Sequence, residues 1–366
     1  MRTIGTVVRG VRAPIIREGD NIAEVAAASV MEAWKEAGIE PRDRDVVAVT
    51  ESVVARAQGN YATLDQIAKD VREKTGGGTV GVAFPILSRN RFSLLLRGMA
   101  MGCKKIVLLL SYPSDEVGNG LVDWDKLDEA GVDPYSDVLT LEQFRKKFGA
   151  AVHPFTGVDY IDFYSGIITD AGAEVEVIFG NRVQTLCDYT DAVITCDIHT
   201  RARSKRLLKA AGARVVLGLD DLLNRSVDGS GYNAEYGLLG SNKATEETVK
   251  LFPRDCMAVA EELGERLSKA SGKHIEAMVY GDGAFKDPVG KIWELADPVV
   301  SPAYTAGLEG TPNELKLKYL ADNDFAALKA ILEGSVSSRS SNLAVYATSN
   351  RRHLIKETWK DREDME

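Results

Sequence analysis

Between Thr79 and Leu219, short apolar runs alternate with stretches of helical length, and this alternation constrains the fold more than any other feature of the chain. The runs at 79–84, 106–111, 174–179, 192–196 and 214–219 predict strands. The stretches at 88–101, 157–171 and 201–211 predict helices, the first capped by Ser88 and the last strongly basic. Continuously apolar strands need cover on both faces, and helical crossovers between them run right-handed and leave the strands parallel. Residues 79–222 therefore read as a doubly wound parallel sheet of the α/β class.

The flanks follow another rhythm. Thr3–Val8 alternates like a strand, and Asp20 stands where it would cap a helix with Ile22, Val25, Ala26, Val30, Ala33 and Trp34 on one stripe. Asp45–Thr50 is an apolar run, Thr63-x-x-Gln66 has the spacing of a capping box, and Gly76–Gly78 is a break. Asn224–Asn242 is rich in Gly, Ser and Asn and reads as a boundary loop. Helix 254–270, strand 274–280, helix 323–333 and strand 342–347 are expected after it, then a charged tail from Arg351. A chain of 366 residues exceeds one ordinary core. The expected organisation is a discontinuous domain, 1–75 with 230–366, interrupted by an inserted α/β domain at 76–229.

Composition removes several classes. With 45% apolar and 27% charged residues the chain has material for a core, and its net charge of −9 repels phosphate backbones, so nucleic acid is not an expected partner. There is no signal-like N-terminus and no run long enough to span a bilayer, so a cytoplasmic protein without a membrane is expected. Cys103, Cys187, Cys196 and Cys256 lack CxxC spacing and read as reduced thiols. His153, His274 and His353 have no partner at metal-ligand spacing, and no Walker loop, GxGxxG or Ser/His/Asp order occurs.

Six passages carry candidate chemistry. TESVVARAQGN at 50–60 sets Thr50, Glu51, Ser52 and Arg56 after a strand, a combination suited to a nucleotide phosphate or, more plainly, to a polar helix start. YGDGAFKDPVGK at 280–291 places Asp282 between glycines, either near a metal or hydroxyl or in a simple turn. SVSSRSSN at 335–342 offers Ser335, Arg339 and backbone donors to phosphate oxygens, or is a flexible loop. CDIHTRARSK at 196–205 lies at the carboxyl end of a strand, where Asp197, His199, Thr200 and Arg201 line an anion site or begin a solvated basic helix. SRNRF at 88–92, with Ser88 and Asn90, and SYPSDE at 111–116 converge on that edge.

The flanks together resemble the coenzyme F420-0:L-glutamate ligase family. RAPIIREGDNIAEV (12–25), VVAVTESVVARAQGN (46–60), GLLGSN (237–242), GKHIEAMVYGDGAF (272–285) and LADNDFAALKAILEGS (320–335) keep that family's order, over about 3–75 and 230–346. The resemblance implies a homodimer that uses GTP, or ATP, and Mg2+ or Mn2+ to join glutamate to a carboxylate. It gives Ala13, Pro14, Ile15, Ile16, Glu51, Ser52, Asn242, Ser335 and Arg339 as nucleotide contacts, Arg56 as the phosphate cation and Asp282 as a metal ligand. Leu239, Gly283 and Ser335 depart from the family's other metal positions, and Asp287, Glu235 and Asp228 are the available replacements.

The expected function is thus nucleotide-dependent amide ligation of an amino acid, L-glutamate, to an acceptor such as coenzyme F420-0 through an acyl phosphate. Arg56 and Asp282 meet in one cleft in this reading, and the inserted domain holds a small molecule near Ser88, Asn90, Asp197 and His199. The alternative is a non-catalytic nucleotide- or metabolite-binding protein whose metal site has decayed. A redox or transferase activity of the inserted sheet has no fingerprint.

Overall fold

The computed structural model describes residues 7–153, 156–281, 285–286, 293–294 and 302–308. Contacts divide the chain into a smaller unit, Met1–Gly59 with Pro253–Asp282 and Val299–Glu366, and a larger one, Asn60–Phe252 with Gly283–Pro298.

The smaller unit opens with an irregular stretch that includes Val7 and Val8, while the rest of the strand expected at 3–8 lies outside the described residues. Helix α1 (Ile22–Glu36), strand β1 (Val46–Thr50) and helix α2 (Glu51–Ala57) follow. The cap of α1 is Asn21, whose side-chain oxygen accepts the Glu24 N–H at 3.1 Å. Asp20 instead accepts the N–H of Arg17 at 2.6 Å and closes the turn before it.

The larger unit holds β2 (Tyr61–Thr63), α3 (Leu64–Thr75), β3 (Thr79–Ala83), α4 (Phe92–Met101), β4 (Lys105–Leu110), α5 (Trp124–Ala130), β5 (Leu139–Thr140) and α6 (Leu141–Phe148). It continues with α7 (Tyr160–Asp170), β6 (Glu174–Phe179), β7 (Ala192–Thr195), α8 (Arg201–Ala210), β8 (Val215–Gly218), β9 (Asn242–Lys243) and β10 (Thr248–Lys250). A six-stranded sheet runs β5-β6-β4-β3-β7-β8, parallel throughout except for β5 at one edge. It is doubly wound: the chain starts centrally at β3, builds outward through β4 and β6, then returns to build β7 and β8 on the other side. The change of direction lies between β3 and β7, the switch point at which open α/β sheets take ligands.

The expected capping box is present at Thr63, whose hydroxyl accepts the Gln66 N–H at 3.2 Å while the Gln66 side chain accepts the Thr63 N–H at 2.8 Å. Thr140 and Gln143 repeat it at the start of α6. Helix α3 belongs with the larger unit rather than with the flank to which the sequence assigns it. Leu64, Ile67 and Val71 enter the same core as Leu94, Leu95 and Met99 of α4. That approach is close because Gly98 faces Ile67, where a Cβ would come within 2.9 Å of the Ile67 side chain. Leu238, Leu239, Val249 and Leu251 join this core too, so the division falls at Gly59 and Phe252 rather than at 75 and 230.

The chain then forms α9 (Cys256–Ser271) and β11 (Glu276–Tyr280), the paired strands β12 (Phe285–Lys286) and β13 (Trp293–Glu294), and β14 (Ala303–Tyr304). In the smaller unit β11 pairs parallel with β1 and antiparallel with β14. Ala23, Ala27 and Val30 of α1 and Ala260, Leu263 and Leu267 of α9 share a core with Val49, Ala277 and Val279 of the sheet. The helix expected at 323–333, the strand expected at 342–347 and the charged tail lie outside the described residues.

Candidate functional site

In the smaller unit, β1 and β11 stay in register to their last residues, Thr50 opposite Tyr280. The chain therefore leaves both strands at one edge, into α2 on one side and into Gly281 on the other. Thr50 caps α2, its hydroxyl accepting the Ser52 N–H at 3.3 Å. Ser52 and Arg56, four residues apart on α2, share a helix face, Ser52 half-buried and Arg56 exposed in the last turn. Glu51 is buried, and burial, with Glu51 and Asp255 adding to it, pushes the Cys256 thiol up to about 12. Ala13, Pro14 and Ile15 are exposed on an irregular segment, and Ile16 anchors it in the core. Asp282, Gly283, Ser335 and Arg339 lie outside the described residues.

In the larger unit, the loops after β3, β4 and β7 meet at the switch-point edge. Ser88, expected to cap a helix at 88, lies in the turn before α4, its hydroxyl accepting the N–H groups of Asn90 at 3.3 Å and Arg91 at 2.9 Å. The Asn90 carbonyl accepts the Lys243 N–H at 3.3 Å, which brings β9, and Asn242 with it, beside this turn. Asn242 is half-buried and its side-chain amide reaches back to the Gly240 carbonyl at 3.4 Å.

At the start of α8, where the sequence suggests an anion site, the backbone donors are taken by a carboxylate of the chain itself, Glu116. One carboxylate oxygen of Glu116 accepts the Ile198 N–H at 2.6 Å, and the other accepts those of His199 at 2.8 Å and Thr200 at 3.0 Å. Backbone donors at a helix start favour such a charge. Asp197 is scaffold within this loop: almost fully buried, it accepts the hydroxyls of Thr200 at 2.7 Å and Ser204 at 2.8 Å. Burial pushes its carboxyl above the ordinary range, against those two hydrogen bonds and with the Glu116 charge adding to the rise. Burial raises Asp115 as well, although Leu87, Val117 and Asn119 all donate to it. His199 is exposed. His153 is buried, and burial lowers its pKa.

Beside this loop is a narrow crevice. Its walls are Ile86, Phe92, Leu95, Cys196, Ile198, Leu219, Leu238 and Leu239, and its polar groups come from Arg91, Gly240 and Ser241. Burial drives the Cys196 thiol far above its ordinary pKa, which withholds the thiolate a nucleophile needs. Arg91, Glu116 and Ser241 were not singled out from the sequence, although each falls inside a quoted passage: SRNRF, SYPSDE or GLLGSN. Only the sheet order brings those passages together.

The family model of F420-0:Gamma-glutamyl ligase matches residues 10–345. The chain belongs to this family. The match runs across 76–229 as well as the flanks. None of the curated proteins compared with the chain matches it.

Membership makes the metal positions testable against the structure, and the described ones do not fit. Leu239, standing where the resemblance places a metal aspartate, is 1% exposed in the core of the larger unit and offers no oxygen ligand. Of the replacements, Asp228 pairs with Lys69 at 2.6 Å, Glu235 lies in the Asn233 turn, and Asp287 is outside the described residues. Among the described residues no group of three or more His, Cys, Asp or Glu is placed to hold a metal ion. No helix among them is long and apolar enough to cross a membrane.

Proposed function

We propose that this protein is an amide ligase that joins the amine of L-glutamate to the carboxylate of a small-molecule acceptor such as coenzyme F420-0, driven by GTP or ATP. The family match over residues 10–345 carries this reading. A carboxylate is a poor electrophile because its oxygen is a poor leaving group. Attack of that oxygen on the γ-phosphorus releases the nucleoside diphosphate and leaves an acyl phosphate. The amine then attacks the acyl carbon, orthophosphate departs with the C–O electrons, and the amine proton passes to solvent.

In this reading the common face of Ser52 and Arg56 on α2 binds phosphate oxygens through a hydroxyl and a guanidinium. Asn242 and the 13–16 segment contribute to nucleotide binding as the resemblance implies, and the active species is a homodimer. No step is routed through a metal, because the described residues do not furnish its ligands. The test is incubation of the full chain with F420-0, L-glutamate and either nucleotide. A glutamyl conjugate detected by mass spectrometry, with orthophosphate released in step with it, is the expected result. No conjugate with either nucleotide, with or without Mg2+ or Mn2+, would refute the ligase reading.

The apolar surroundings of Leu239 favour a second reading, a nucleotide- or metabolite-binding protein without ligase chemistry. Titration with GTP and ATP separates the two: tight binding indifferent to Mn2+ and unaccompanied by turnover is the pattern it requires.

A further inference from the structure

Two carboxylates share one hydroxyl at the start of α8. Asp197 is 1% exposed; its Oδ2 lies 2.7 Å from the Thr200 hydroxyl and 2.8 Å from that of Ser204, while its Oδ1 has no hydrogen-bond partner. The same Thr200 hydroxyl stands 3.5 Å from the Glu116 oxygen that accepts the His199 and Thr200 N–H groups. A hydroxyl has one proton to give, so it serves one of these carboxylates at a time. An ionised Asp197 takes that proton and leaves only oxygen lone pairs toward Glu116. A protonated Asp197 donates to Thr200 instead, and Thr200 then donates to Glu116.

The surrounding charges leave the pair to itself. Arg201 donates to the Ile198 carbonyl and pairs with Asp220, and Lys205 pairs with Asp220 at 2.7 Å and Asp221 at 2.6 Å. Asp115 is held by its own donors, Leu87, Val117 and Asn119, the buried Cys196 thiol stays neutral, and His199 is exposed. An ionised Asp197 is thus a buried charge with one oxygen unsatisfied and a like charge close by, a combination that folding opposes. We infer that Asp197, Thr200 and Glu116 form a proton-operated latch. With Asp197 protonated, Glu116 stays on the three N–H groups and closes the β4–α5 loop onto α8. Once the Asp197 proton has passed to solvent, Glu116 is displaced and the three donors are freed at the edge of the sheet. The latch lies wholly in the larger unit and does not depend on the ligase reading.

Amide hydrogen exchange of the full chain tests it, followed by nuclear magnetic resonance from about pH 5 to about pH 8 and corrected for the intrinsic rate at each pH. Protection at Ile198, His199 and Thr200 should fall by about fivefold or more as pH rises, the worth of one ordinary hydrogen bond. Asp197→Asn, which cannot ionise, should keep the same protection throughout. Thr200→Val breaks the relay and should lose the dependence as well, with circular dichroism checking that each variant is folded. Three results would each overturn the inference: parent protection indifferent to pH, the parent's fall repeated in Asp197→Asn, or the parent's fall repeated in a folded Thr200→Val variant.

Discussion

The carboxylate of Glu116 lies 2.6 Å from the backbone nitrogen of Ile198, so a loop that follows β4 supplies the negative charge at the start of α8. The same carboxylate takes the next two N–H groups. Glu116→Ala leaves the N–H of buried Ile198 without its partner and the other two to water, and should cost about 1–3 kcal/mol of stability, read from the midpoint of urea unfolding. Millimolar phosphate should return part of that loss in the variant and do little for the parent; equal effects on both would show that the carboxylate is not what satisfies these donors.

Asp197 gives a dependence on pH. Its carboxyl is raised in the fold, chiefly by burial. Between the unfolded value, about 4, and the folded one, the native state binds a proton that the unfolded state has released, so stability falls as pH rises through that window. Asp197→Asn removes this contribution. The variant should therefore gain on the parent between pH 4 and pH 7 in paired urea melts, and a stability difference that stays flat would contradict the assigned shift.

Ser241→Ala should stabilise the protein by about 1 kcal/mol, because it deletes a buried hydroxyl without a partner. Thermal melts without ligand measure this, and a destabilised variant would mean that the hydroxyl is satisfied in solution.

Gly237 turns the chain into the crevice wall with φ +52, and a Cβ there would run into the carbonyls of Leu222 and Asp220. Gly237→Ala should cost at least about 2 kcal/mol in urea unfolding, since strain and collision add. An unchanged midpoint would place the turn elsewhere.

Arg56 is exposed at the end of α2, so Arg56→Ala should leave the melting temperature within a degree or two. In the ligation assay its kcat/KM should fall by about tenfold or more if the guanidinium meets phosphate. Activity at the parent level would remove it from the site.

The sequence made the central sheet readable because β3, β4 and β7, and β6 in its second half, are apolar on both faces, a pattern that a covered parallel sheet supports. Helices α5 and α6 were not read, although the Thr140–Gln143 box carries the same signature as Thr63–Gln66. Both are short and polar, and each buries a single side chain, Leu127 and Phe144 respectively. Ser88 and Asn90 were read as site residues, and the structure gives them to the turn before α4; Asp197, read the same way, ties Thr200 and Ser204. Local spacing marks where a loop stands but not whether its side chains turn inward to hold it. That Ser241 and Arg91 line one crevice was not legible, because it depends on which strands become neighbours.

The parallel pairing of β1 with β11 joins segments that precede and follow Asn60–Phe252 in the chain, whereas Asn60–Phe252 is nearly self-contained. During synthesis the larger unit can condense as soon as its own residues leave the ribosome, while β1 waits unpaired until β11 arrives. The α/β sheet thus serves as a nursery for the smaller fold, holding close to each other the two ends on which that later sheet depends.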